Sequence, residues 1–83
     1  MDIRAMQYYL AVVREGTISA AAKALHVSQP SLSRQMKELE EELGAELFVR
    51  GNRRITLTEE GMVLRKRAEE IAHLMNMPSA LIS

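Results

Sequence analysis

The chain has no cysteine, so neither a disulfide framework nor a thiolate metal site is open to it, and its composition suits a reducing compartment. It has no apolar run approaching the roughly 18 residues that span a bilayer. The opening stretch MDIRAMQYYLAVVREG lacks the basic start and small-residue cleavage site of a secretory signal. There is no internal repeat and no low-complexity segment. These absences point to a soluble, cytoplasmic domain without a membrane partner. At 83 residues the chain holds one small core, and a domain of this size buries only about 60–65% of its unfolded surface, so it gains from a partner.

Catalytic constellations are also missing. Glu59-Glu60 and Glu69-Glu70 are adjacent pairs, which diverge on a helix and form no dyad. Serine and threonine hydroxyls occur without a histidine base at any motif spacing. His26 and His73 have no cysteine or acidic cluster at metal-ligand spacing. No enzyme, cofactor or metal is expected.

Net charge is zero, with 11 basic and 11 acidic side chains, which gives no bulk attraction to nucleic acid. The distribution differs. Residues 1–37 carry +3, residues 38–46 carry five glutamates, and residues 47–58 carry Arg50, Arg53 and Arg54. Two basic zones flank an acidic block, and a ligand feels the local field rather than the sum.

Periodicity places four helices. Asp2 caps a first one with Ile3, Met6, Leu10 and Val13 at helical spacing, and Gly16 stops it. Thr17 caps a short, alanine-rich second helix with the stripe Ile18, Ala21, Ala22 and Leu25. Ser28 caps a third that carries Pro30 in its first turn and ends at Gly44, with Leu32, Met36, Leu39 and Leu43 as its stripe. The period then changes: Leu47 and Val49, then Ile55 and Leu57, alternate around Gly51-Asn52, which predicts a short two-stranded hairpin with arginines at its tip. Thr58 caps a last helix to about Met75, where Leu64, Ala68, Ile71 and Met75 form an a/d-like seam. Pro78 and the small residues around it read as a hinge or frayed end.

Two helices joined by a tight turn and followed by a hairpin predict a mainly α fold, a winged helix-turn-helix with a long linker helix behind it. At about 100° per residue, Gln29, Pro30, Ser33, Arg34 and Lys37 fall opposite the apolar stripe of the third helix. That face has no acid, and glutamine, arginine and serine suit base edges and phosphates. The helix N-terminus adds free N–H groups for a phosphate. The acids begin only at Glu38. A polar helix face is often merely solvated, and the alternative function is a small helical interaction or dimerisation domain without DNA binding. The ordered set of features favours double-stranded DNA.

At these residues the chain resembles the N-terminal DNA-binding domain of LysR-type transcriptional regulators. AAKALHVSQPSLSRQMKELEEELGAELFVR followed by RRITLTEEG carries the likeness, which extends over residues 1 to about 75. The resemblance implies base or phosphate contacts at Ser28, Gln29, Pro30, Ser31, Ser33, Arg34 and Lys37. It implies wing contacts at Arg53 and Arg54, and a phosphate hold at Arg50. It also implies a homodimer through the linker helix, a tetramer for the full-length protein, and an effector-binding domain that this chain does not include. The expected division is a DNA-binding domain at 1–58, a linker helix at 59–76 and a hinge or tail at 77–83. Four residues depart from the family pattern. Glu46 makes the rim beside the wing less attractive to phosphate, Gly51-Asn52 loosens the wing tip, and Tyr9 stands for a more usual phenylalanine, so its hydroxyl needs a partner.

Overall fold

The computed structural model describes residues 2–75. The expected end of the linker helix and the tail with Pro78 lie outside the described residues. Four helices form: α1 (Ile3–Glu15), α2 (Ile18–Leu25), α3 (Gln29–Leu43) and α4 (Glu59–Met75). Each begins where a side-chain oxygen takes an otherwise orphaned N–H. Asp2 Oδ1 accepts from Ala5 N at 2.8 Å, Thr17 Oγ1 from Ala20 N at 3.1 Å, Ser28 Oγ from Ser31 N at 3.2 Å, and Thr58 Oγ1 from Gly61 N at 3.0 Å. Left-handed residues end the first three: Gly16, His26 and Gly44. His26, at φ 59°, takes a conformation that glycine usually supplies, which lets the chain turn tightly from α2 into α3.

The core sits where α1, α2 and α3 meet. Tyr9, Val12, Ala21, Ala22, Leu32, Met36, Leu39 and Leu47 are buried together. The paired alanines of α2 present no bulk, so the two longer helices close over them. Periodicity located the helices but misplaced some of their faces. On α1 the inward residues are Met6, Tyr9 and Val12, while Ile3 is exposed; on α3, Leu43 is exposed and Glu40 is buried.

The expected two-stranded wing does not form. The segment between α3 and α4 holds one isolated antiparallel bridge, Phe48 to Leu57, with Val49 N donating to Thr56 O at 2.8 Å and Thr58 N to Leu47 O at 3.0 Å. The physical reason is competition for backbone groups. Ile55 N donates to Gly16 O at 2.7 Å, so the return arm is tied to the α1–α2 corner instead of extending a ladder. Leu47 N donates to a side chain, Glu40 Oε2, at 2.6 Å. The start of the arm packs on the helices, with Leu47 buried and the Phe48 ring 5.7 Å from that of Tyr9, while Val49 stays exposed.

Helix α4 docks on α1 through its small residues, Gly61 and Ala68. A Cβ built at Gly61 would collide with the Leu47 carbonyl. Tyr9 Oη donates to Gly61 O at 2.6 Å, across 52 residues of sequence, which supplies the partner its hydroxyl needs. Burial, the largest cause, pushes the Tyr9 phenol up to about 12; Arg65 opposes the rise and Glu40 adds to it.

Candidate nucleic-acid interface

The first turns of α3 present Ser28, Gln29, Pro30, Ser33, Arg34 and Lys37 to solvent, with Ser31 half-buried beside them. Their exposure follows from the α3 core face: once Leu32, Met36 and Leu39 point inward, the rows 29-33-37 and 30-34 must point out. Ser28 is already engaged as the α3 cap. Gln29 Nε2 donates to Ser19 Oγ, on α2, at 2.9 Å. Ser19 is exposed and belongs to the same surface, and sequence reasoning missed it because it sits ten residues back in an alanine-rich helix.

The cations differ in how far they are already compensated. Arg34 Nε lies 4.0 Å from Glu38 Oε1, both side chains about two-thirds exposed, and solvent screens such a pair to little more than zero. Arg50 faces two carboxylates, Glu40 at 3.4 Å and Glu46 at 3.6 Å. The departure at Glu46 therefore acts on a specific partner: it offsets the charge of Arg50. Among the described residues, Lys37 and Arg53 form no ion pair. Arg54 is exposed but lies against the α1–α2 corner, since a Cβ at Gly16 would meet its Nη2 at 3.3 Å. It flanks the root of α2 instead of extending the arm.

Glu40 is the residue whose role the sequence concealed. It stands inside the acidic block, yet its carboxylate is buried and accepts from Leu47 N at 2.6 Å, Phe48 N at 3.4 Å and Arg50 Nη2 at 3.4 Å. Its task is to bind the start of the arm to α3. The remaining glutamates of the block, Glu38, Glu41, Glu42 and Glu46, are exposed.

The residues of the expected α4 seam divide. Ala68 is buried and Leu64 packs on the core of its own domain, whereas Ile71 and Met75 stay exposed, together with Leu74. Ile71 and Met75 line, with Ile3, Met6 and Leu10, an apolar groove between α4 and α1. Among the described residues, no group of three or more histidine, aspartate or glutamate side chains is placed to hold a metal ion, and no helix is long and apolar enough to cross a membrane.

Short capped helices, a tight α2–α3 turn and an outward polar face on α3 define a helix-turn-helix domain. The family model described as "Bacterial regulatory helix-turn-helix protein, lysR family" matches residues 3–62, and the chain belongs to that family. It is 53% identical over 74 residues to the HTH-type transcriptional regulator BsdA of Bacillus subtilis (strain 168), a match covering 88% of this chain and 26% of that protein. It is 42% identical to the regulator ClcR of Pseudomonas putida, covering 89% and 25%. The chain thus spans about a quarter of these two relatives. Among solved structures it is similar to the BenM DNA-binding domain in its benA site 1 DNA complex, with TM-score 0.88 and 39% identity over 92% of this chain and 88% of that one. The CbnR DNA-binding domain in complex with DNA gives 0.84 and 44%, over 90% and 86%.

Proposed function

We propose that this chain is the operator-reading module of a bacterial transcriptional regulator, with α3 (Gln29–Leu43) in the DNA major groove. The observation that carries it is the acid-free polar face of α3 from Ser28 to Lys37, standing out from a core that fixes its orientation. Family membership supports the same reading, as do the two similar domains whose structures contain DNA. Serine and glutamine at the first turns supply hydrogen bonds for base edges, and Arg34 and Lys37 supply charge for phosphates. The arm at 48–57 follows the backbone or minor groove, with Arg53 as its main contact and Arg54 reaching phosphate from the α2 side. Arg50, already held by Glu40 and Glu46, contributes less.

Residues 1–58 then form the reading unit and 59–76 the linker helix, which pairs two copies so that each reads one half-site of an imperfect palindrome. The exposed Ile71, Leu74 and Met75 are the surface for that pairing, with Leu64 and Ala68 setting the helix on its own domain. The whole protein is a cytoplasmic regulator that assembles further, as a tetramer, and has no catalytic role.

Fluorescence anisotropy against promoter duplexes at several salt concentrations tests the reading. Binding that weakens with salt is expected, and Arg34→Ala should lower affinity for all sequences while flattening the salt slope by about one unit. Salt-insensitive or absent binding by the folded chain would favour an interaction domain that works without DNA.

A further inference from the structure

Gln29 and Ser19 sit on different helices of the helix-turn-helix pair and are both exposed, yet their side chains are joined by a 2.9 Å hydrogen bond. Ser19 has no duty at the start of its own helix, because Thr17 Oγ1 already takes the Ala20 N–H. We propose that Ser19 is a positioning residue for Gln29: it holds the carboxamide in place before DNA arrives and so sets how sharply one base pair is read. The proposal rests on the DNA-binding reading above.

A glutamine side chain rotates about three torsions, and ordering it only on binding sets its rotamer entropy against the contact it makes. A bond formed in the free protein moves part of that ordering into folding. It also leaves the right chemistry unspent. With one N–H given to Ser19 Oγ, the carboxamide keeps its carbonyl oxygen and its second N–H, a donor and an acceptor side by side. Adenine presents the matching pair in the major groove, N7 to accept and N6 to donate. The serine hydroxyl is neutral, so it sharpens discrimination without adding to the salt dependence.

The test uses the full 83-residue chain and a pool of randomised duplexes, with relative affinity measured for every base at every position of the selected site. Gln29→Ala should erase preference at one base pair, an effect of about 5- to 150-fold. Ser19→Ala should blunt the same base pair by about fivefold, leave other positions and the salt slope unchanged, and add nothing in the Gln29→Ala background. Ser19→Thr, which keeps the hydroxyl, should restore the preference. Alanine is a better helix former than serine, so folding should survive the change, and circular dichroism checks it. An unaltered preference in Ser19→Ala would overturn the proposal alone. So would additive losses in the double variant, or uniform weakening over all sequences, which would mark a direct contact of Ser19 with phosphate. A wild-type chain that selects no sequence from the pool would sink this proposal and the DNA reading together.

Discussion

Two segments hold the residues proposed to meet DNA, and they are held in opposite ways. The exposed polar face of α3 is set by its own helix: Ser28 caps it, and Leu32, Met36 and Leu39 fix its rotation. The arm at 47–57 has almost no structure of its own, with one antiparallel bridge, and borrows the rest. Glu40 of α3 takes its first amides, Gly16 O takes the Ile55 N–H, and the Thr58 hydroxyl bonds Glu46 O at 2.6 Å. A residue on the exposed face of α3 can therefore change without moving the helix, whereas the arm depends on inward side chains such as Glu40.

The most severe way to break the arm and spare α3 is Gly61→Ala. Alanine favours a helix interior by about 0.5–1 kcal/mol, but here its methyl group would strike the Leu47 carbonyl, which is backbone and cannot swing aside. A net loss of about 3 kcal/mol is expected in urea unfolding, with α4 pushed off the root of the arm. A stability equal to wild type would mean that Leu47 can shift freely and that the arm is looser than its bonds imply.

Glu40→Ala comes next. It leaves the buried Leu47 amide without an acceptor and releases Phe48 N and Arg50, at a cost of about 2–3 kcal/mol. Glu40→Gln, which keeps an oxygen for Leu47 but not the charge for Arg50, should lose about half as much. Because Arg50 then faces only Glu46, Glu40→Gln should also steepen the salt dependence of DNA binding while the preferred sequence, set by α3, stays the same. A changed sequence preference would show that the arm and α3 are not independent.

The contrast explains which parts of the molecule were legible in the sequence. Caps, glycine stops and 3.6-residue spacing are local signals, and they placed all four helices, including Pro30 in the first turn of α3. The polar face of α3 was legible for the same reason, since the apolar stripe dictates the opposite side. The arm resembles a two-stranded hairpin in sequence because alternating apolar residues look alike whether or not the two runs pair as a ladder. Long-range polar partners leave no periodic trace. Glu40 is indistinguishable by composition from the solvated glutamates beside it, and nothing local connects Gln29 with Ser19. The spacing 64-68-71-75 does not by itself reveal that Leu64 and Ala68 are covered by their own domain while Ile71 and Met75 stay exposed.

The smallest effect bears on the frame that both segments share. Tyr9 is fully buried, and its hydroxyl bonds the carbonyl of the same Gly61 that abuts the root of the arm. Tyr9→Phe keeps the ring contact with Phe48 and removes only that bond, so about 1 kcal/mol of stability should go. The pH dependence reports the burial of that hydroxyl. In the folded state the phenol is pushed up to about 12, while in the unfolded chain it ionises near its ordinary 10.0. Between these values the unfolded state gives up a proton that the folded state keeps. The stabilising share is therefore whole below pH 10 and drains away as pH rises towards 12, with a slope of up to about 1.4 kcal/mol per pH unit. Wild type should show that decline in unfolding free energy, and Tyr9→Phe should lack it. Parallel curves for the two proteins would mean that the Tyr9 hydroxyl reaches water, and that α4 is held to the domain by the packing of Gly61, Leu64 and Ala68.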